Sequence, residues 1–268
     1  MAQKTTDDNK PLQGRRILVT RPRGQEKTLC EKISELGGLP VPFPVIEITD
    51  PDDTTSLNKA IYDIFDYDIA VFISANAVSK LHQHLPELPK HLKIAAIGRA
   101  TAKVLAATYR EPDIVGPSPY NSEALLLTDD MQAVDEKQII IFRGEGGRNL
   151  LAERLQERGA WVDYADCYQR TVPHVCADDL DLLWQTPAIE LVTVTSDQGL
   201  QNLFDIMDAG HQKILLAMPI AVLSNRALHL VSKLGFKQDA YVANEASDVG
   251  MLNAILRWSN DQQEAPDE

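Results

Sequence analysis

"RILVTRPRGQEKTLCEKISELGG" (16–38) and "QIIIFRGEGGRNLLAERLQERGA" (138–160) are two versions of one pattern. Laid over each other at an offset of 122 residues, apolar run falls on apolar run, Arg21 on Arg143, Gly24 on Gly146, Glu31 on Glu153 and Gly37 on Gly159. Self-similarity at a fixed offset marks a duplicated structural unit. Each copy holds a short apolar run suited to a strand, a bend containing Gly and Arg, and then apolar residues at helical spacing. In the first copy these are Leu29, Ile33 and Leu36, at i, i+4 and i+7.

The register continues outward. "YDIAVFISANAVSKL" (67–81) lies over "IELVTVTSDQGLQNL" (189–203) at the same 122-residue offset, pairing Ser74 with Ser196 and Leu81 with Leu203. "KIAAIGRATAKVLAA" (93–107) matches "PIAVLSNRALHLVSK" (219–233) at 126, and "NSEALLL" (121–127) lies near "ASDVGML" (246–252) at 125. Continuous apolar runs such as "IAVFI", "IIIF" and "LVTV" are those of parallel strands covered on both faces. Strand and helix alternate, so the expected class is α/β, doubly wound, with two similar parallel sheets.

Two divisions of the chain fit this grammar. "LPVPFPVIEITDP" (39–51) and "WVDYADCYQRTVP" (161–173) occupy the same place in both repeats, are extended in character and end near proline. Contiguous halves are one solution. In the other, both segments cross between domains, and the first unit of repeat one joins the last units of repeat two.

Composition limits the partners. The 268 residues are 44% hydrophobic, and 26 Lys plus Arg stand against 39 Asp plus Glu, a net charge of −13. That balance argues against a broad nucleic-acid or anionic-membrane surface. No apolar run approaches the roughly 20 residues of a membrane span, and "MAQKTTDDNK" has no secretory h-region, so a cytoplasmic location is expected. Cys30, Cys167 and Cys176 form no CxxC pair and read as thiols filling space. His82 and His84 are two apart and no HExxH occurs, so no metal site is expected. The polar ends, 1–13 and 261–268, are expected to fray.

In a doubly wound sheet, ligands sit outside the carboxyl ends of the strands, where bends lead into helix N-termini. The bends here are rich in Ser, Asn, Gly and Arg, and contain Arg21, Arg23, Arg99, Arg143, Arg148 and Arg226. An Arg fork suits carboxylate or phosphate oxygens. "RGEGGRN" (143–149) is neither GxxxxGK[ST] nor GxGxxG with an acid about 20 residues on. Its glycines still permit close backbone approach to some other anion; the plain alternative is a tight turn carrying surface arginines. There is no GxSxG and no Cys with a His partner, and Glu145 and Asp197 read as solvated. An enzyme built this way acts mainly by holding an anionic substrate in a reactive conformation.

Taken in order, "ILVTRPRGQ", "VFISANAV", "AAIGRATA", "SEALL", "FRGEGGRNLLAERLQERGA" and "CYQRTVP" resemble the bacterial uroporphyrinogen-III synthase family over about residues 16–256. The resemblance implies two similar doubly wound α/β domains joined by a two-stranded β-ladder. It sets domain 1 at 14–43 plus 172–260 and domain 2 at 44–171, with linker strands near 40–48 and 164–172. It implies cyclisation of hydroxymethylbilane, with loss of water and inversion of the last ring, and no cofactor or metal. The linear tetrapyrrole substrate carries eight carboxylates. Matching positions imply Tyr168 as proton donor and Arg21, Ser74, Asn76, Gly98, Thr101, Ser122, Arg143, Gly144, Gly146, Ser196 and Ser224 as substrate-binding. Arg226 falls in the Ser224 bend, which lacks the Gly and Thr of its sister "IGRAT". The expected state is a monomer without nucleic-acid or membrane partners, with room for transient contact with the upstream hydroxymethylbilane-producing enzyme. Two other functions suit the same bends: a non-catalytic binder of a polycarboxylate, and a nucleotide-dependent sugar transferase.

Overall fold

The strands are apolar because both of their faces are covered. In the computed structural model, which describes residues 10–184 and 188–264, the chain runs β1 (Arg16–Val19), α1 (Lys27–Glu35), β2 (Leu39–Pro42), β3 (Glu47–Thr49), α2 (Thr55–Tyr62), β4 (Ile69–Phe72), α3 (Ala75–His84), β5 (Lys93–Ala96), α4 (Arg99–Thr108) and β6 (Ile114–Val115). It continues through α5 (Ser122–Leu125), α6 (Asp129–Gln132), β7 (Gln138–Gly144), α7 (Leu150–Glu157), β8 (Trp161–Thr171), α8 (Ala177–Leu183), β9 (Leu191–Val194) and α9 (Asp197–Ile206). The last elements are α10 (Ala209–Ala217), β10 (Ile220–Val222), α11 (Ala227–Leu234), β11 (Tyr241–Val242) and α12 (Asp248–Glu264).

These elements form two compact units. One contains the described residues up to Glu47 and those from Val172 onward; the other is Ile48–Thr171. The first holds a five-stranded sheet in the order β11-β10-β9-β1-β2, with every neighbouring pair parallel. The second holds a six-stranded sheet in the order β3-β8-β7-β4-β5-β6, parallel from β8 through β6. The 122-residue offset maps β1 onto β7 and β4 onto β9. Reading the second sheet backwards as β6-β5-β4-β7-β8 therefore reproduces the first, strand for strand. The class is α/β.

Side chains alternate in and out of each sheet, as a period of two requires. In Ile48–Thr171, Ala70, Phe72, Ile140 and Phe142 join the core under α2, α3 and α4, while Ile69, Val71, Ile139 and Ile141 join the opposite core with Leu151 and Leu155 of α7. In the other unit Ile17 and Val19 pack with Leu29 and Ile33 of α1 and Met251 and Ile255 of α12. Two prolines, Pro40 and Pro42, confine β2 to a sheet edge, because proline has no N–H for a second neighbour.

Paired glycines of the repeat share a backbone conformation: Gly37 and Gly159 both have positive φ, +83° and +88°, just after α1 and α7. The crossing segments do not stand apart from the sheets. β2 belongs to the five-stranded sheet, and β3 lies beside β8 as the edge of the six-stranded one.

The polar ends differ from expectation where they are described. Leu12 is fully buried in the core with Leu29 and Ile33, its N–H donates to Leu36 O at 3.1 Å, and Ser259 Oγ donates to Pro11 O at 2.9 Å. Residues 261–264 continue α12, and the remaining parts of the expected frayed ends, 1–9 and 265–268, lie outside the described residues. Of the three thiols, Cys167 fills core space and Cys30 is half-buried. Cys176 is exposed instead, at the start of α8, where its Sγ donates to Asp179 Oδ2 at 3.0 Å.

Candidate functional site

Each sheet has one point where the strand order reverses, and there the bends after neighbouring strands diverge and leave a crevice. In Ile48–Thr171 this point lies between β4 and β7; in the other unit it lies between β9 and β1. The opening motifs "RGEGG" and "TRPRG" leave β7 and β1, so each stands at such a point.

In Ile48–Thr171 the floor is aromatic. The rings of Phe72 and Phe142 stack with centroids 4.9 Å apart, and Ile73 N–H donates to Phe142 O at 3.2 Å. Above them Ser74 caps α3, its Oγ accepting from Ala77 N–H at 3.1 Å, and Asn76 sits half-buried in the first turn. α4 begins differently. Its N-cap is Gly98, so no side chain caps its first-turn N–H groups. A Cβ on Gly98 would lie 2.7 Å from Tyr120 Cβ, which explains the glycine, and Thr101 is buried in the same turn. Over Tyr120 stands the Arg99 guanidinium, 5.7 Å from the ring centroid. At α5 the capping side chain is Asn121, accepting from Ala124 N–H at 2.8 Å, rather than Ser122, the first helical residue. Its sister is Ser247, which accepts from Gly250 N–H at 3.0 Å; this restores the 126-residue register of the preceding unit.

The glycine bend after β7 is clamped from within. Arg143 Nε donates to Asp166 Oδ1 at 2.8 Å, Nη1 reaches Gly147 O at 3.3 Å and Asn149 Oδ1 at 3.2 Å, and the guanidinium lies 3.7 Å from the Tyr164 ring centroid. The bend itself stays open: Gly146 has φ +74° with no atom within 4 Å of where a Cβ would stand.

Beside this bend the sheet carries an irregularity that aims Tyr168. Arg143 is opposite Asp166, but Gly144 is opposite Tyr168, so Cys167 is an extra residue on β8. Along β8, Tyr164 faces the α7 core while Ala165 and Cys167 face the α3 core. Simple alternation would return Tyr168 to the α7 side. The bulge turns it to the α3 side instead, as bulges do. Its ring is 2% exposed and covers Gly144: a Cβ there would lie 2.5 Å from Cζ and 2.9 Å from Oη. The Tyr168 oxygen accepts from Arg170 Nη2 at 3.2 Å. Burial pushes the neighbouring Cys167 thiol up to about 12, so it stays protonated and is no nucleophile.

In the other unit the reversal point is tied by reciprocal bonds, Thr20 Oγ1 to Thr193 O and Thr193 Oγ1 to Leu18 O, each 2.8 Å. Ser196 caps α9 by accepting from Gly199 N–H at 3.0 Å, and its φ and ψ of −154° and 154° nearly equal the −160° and 154° of Ser74. Gly24 has φ +87°, as its partner Gly146 leads one to expect. Arg21 pairs with Asp248 at 2.5 Å. Ser224 departs from the pattern: it is exposed, and α11 has no side-chain cap.

The six bend arginines therefore divide into two groups. Arg21, Arg143, Arg148 and Arg226 are held by Asp248, Asp166, Glu123 and Asp197 of their own units. Arg23 and Arg99, and Arg170 at the end of β8, are exposed and have no carboxylate partner among the described residues. Of these, Arg170 was not singled out in the sequence, where nothing separates a paired arginine from an unpaired one. Among the described residues no cluster of three His, Cys, Asp or Glu side chains is arranged to hold a metal ion, and no helix is long and apolar enough to cross a membrane.

The family model described as uroporphyrinogen-III synthase HemD matches residues 27–253. The chain is 33% identical over 245 residues to a uroporphyrinogen-III synthase of Salmonella typhimurium, covering 89% of this chain and 99% of that protein. It is 32% identical to one of Escherichia coli, with the same coverage. Among solved structures, uroporphyrinogen-III synthetase from Helicobacter pylori matches with a TM-score of 0.60 at 16% identity, covering 91% of this chain and 99% of that one. A mutant uroporphyrinogen III synthase from Thermus thermophilus matches at 0.53 and 15%, covering 93% and 100%. At such identities these two structures speak for the fold alone.

Proposed function

This chain belongs to the uroporphyrinogen-III synthase family, and from that premise we propose how its strand-end bends and Tyr168 carry out the reaction. The enzyme closes hydroxymethylbilane with loss of water and inversion of the last ring, giving uroporphyrinogen III for tetrapyrrole biosynthesis. The terminal C–O bond breaks as Tyr168 gives its proton to the leaving hydroxyl, which departs as water and leaves a cationic, electrophilic azafulvene beside the Tyr168 phenolate. The substituted carbon of the fourth pyrrole attacks it to form a spirocycle. Fragmentation and reclosure then invert the ring, and the proton released from its free α-carbon on closure restores the Tyr168 phenol. Unassisted closure gives the other isomer, so the protein's task is to hold the chain folded for the spiro route.

Helix N-termini and the open glycine bends hold the substrate carboxylates in this reading. The donors are the uncapped N–H groups of α4 at Gly98 and Thr101, and those of α3 and α9 beyond the caps Ser74 and Ser196. Asn76, Ser122 and Ser224 extend that set, and Gly144 and Gly146 let the substrate approach the backbone. Arg21 and Arg143 shape the bends through Asp248 and Asp166, while Arg23 and Arg99 supply charge to the substrate. The enzyme acts as a cytoplasmic monomer and takes its unstable substrate from the upstream hydroxymethylbilane-producing enzyme by transient contact.

One observation supports Tyr168 as the acid more than any other. Its oxygen already accepts from Arg170, and its own O–H has no acceptor among the described residues, so its proton is free to give. The test uses freshly made hydroxymethylbilane, oxidation of the products and separation of type I from type III porphyrin. Tyr168→Phe should slow type III formation while the protein keeps its fold; unchanged turnover removes Tyr168 from the mechanism. Only type I product above the blank from the unaltered protein would overturn the assignment of activity.

A further inference from the structure

Arg170 stands two residues beyond Tyr168 at the end of β8, past the bulge that turned the tyrosine inward. Its Nη2 donates to Tyr168 Oη at 3.2 Å, and its guanidinium carbon is 5.4 Å from the ring centroid. Unlike Arg143 on the neighbouring strand, it has no carboxylate partner among the described residues, so its charge is not neutralised by the protein. The phenol it touches is almost wholly buried, where a charge-assisted hydrogen bond is stronger than in water.

We propose that Arg170 is a positioning residue for the proton transfer: it holds the Tyr168 oxygen and stabilises the negative charge that oxygen gains as its proton leaves. The geometry supplies both parts. An N–H donated to the oxygen occupies a lone pair, which turns the phenol's own hydrogen away from Arg170. The cation beside that oxygen attracts the phenolate more than the phenol, so the interaction strengthens as the C–O bond of the substrate breaks, which is the condition for acting on rate rather than on binding. The proton passes from Tyr168 Oη to the departing hydroxyl, and no bond is made to Arg170. Gly144 is the complement, since only a residue without a side chain leaves room for the ring at that place.

The inference rests on Tyr168 being the acid, and a mutant cycle separates the two. With hydroxymethylbilane as substrate, Arg170→Gln should lower kcat for type III formation roughly 10- to 100-fold, the range for loss of a hydrogen bond to a charged group. KM should change less than about twofold if uniform binding is untouched. Arg170→Lys, which keeps the charge but not the fork, should recover part of the loss. In a Tyr168→Phe background, Arg170→Gln should add no further loss, because the group it serves is gone. Arg170→Gln that raises KM at unchanged kcat would make Arg170 a carboxylate ligand and overturn the proposal. So would losses from Tyr168→Phe and Arg170→Gln that multiply in the double variant. A slow Tyr168→Phe beside a fully active Arg170→Gln overturns the role of Arg170 alone. A fully active Tyr168→Phe refutes the acid itself. Melting curves of the single variants identify any that have lost the fold, and Arg170→Lys then decides: full loss of kcat in a folded Arg170→Lys, without rescue, also counts against the role.

Discussion

Gly144 and Tyr168 are register partners across β7 and β8, and the tyrosine ring fills the space in which a side chain on Gly144 would begin. Gly144→Ala must therefore move the ring, since its Cβ would stand 2.5 Å from Tyr168 Cζ. We expect it to destabilise the protein by about 1–3 kcal/mol, the usual cost of overpacking, and to slow type III formation about as much as Tyr168→Phe does. Gly146→Ala differs: it meets no protein atom within 4 Å but keeps a φ of +74°, so it should cost about 1 kcal/mol and, where the substrate approaches that backbone, raise KM while leaving kcat nearly intact. Urea denaturation and the isomer assay measure both, and equal kcat of the two variants would separate Gly144 from the chemistry.

Ser74 and Ser196 perform the same local task in the two repeats, accepting first-turn N–H groups at 3.1 Å and 3.0 Å. Replacing either by Ala should lower stability by roughly 0.5–2 kcal/mol, as for other N-caps. Ser224→Ala should stay within about 0.5 kcal/mol, because Ser224 is exposed and caps nothing. A loss at Ser224 equal to that at Ser196 would show that the third bend is built like the others after all.

Arg143 and Arg99 should respond in opposite ways. Arg143→Gln removes the fork that holds Asp166, Gly147 and Asn149, and is expected to cost roughly 1–3 kcal/mol of stability. Arg99→Gln touches only the face of Tyr120, so it should leave the unfolding midpoint almost unchanged and raise KM for hydroxymethylbilane. Denaturation curves and steady-state kinetics on the same preparations test the pair; an unchanged KM for Arg99→Gln would exclude it from substrate binding.

Cys167 should make stability fall at high pH. Burial raises its thiol from 9.0 to about 12, so the unfolded chain ionises there first. The stabilising contribution of the neutral thiol is complete below pH 9.0 and is lost progressively as pH rises toward about 12. The stability gap between the natural protein and Cys167→Ala should therefore narrow between pH 8 and pH 10, measured by urea unfolding. In the folded protein a thiol reagent should find exposed Cys176 well before Cys167. A gap independent of pH would count against an un-ionised buried thiol.

The sequence alone determined the α/β class, the duplicated register and the places where the bends fall. Those properties are local: a strand's apolar run, a helix's spacing and a glycine that must take positive φ lie within a few residues of one another. Gly24, Gly37, Gly146 and Gly159 all have the left-handed backbone that the repeat pairs them for. Tertiary structure decided what depends on distant partners. Strand β1 lies beside β9, some 170 residues away, rather than beside β4, because hydrogen bonding between strands depends on which edges meet and not on chain order. Four bend arginines are neutralised and two are not, since that depends on where Asp248, Asp166, Glu123 and Asp197 arrive after folding. Tyr168 faces Gly144 because one extra residue on β8 reverses the alternation of its side chains, and a bulge exists only when two strands have been paired.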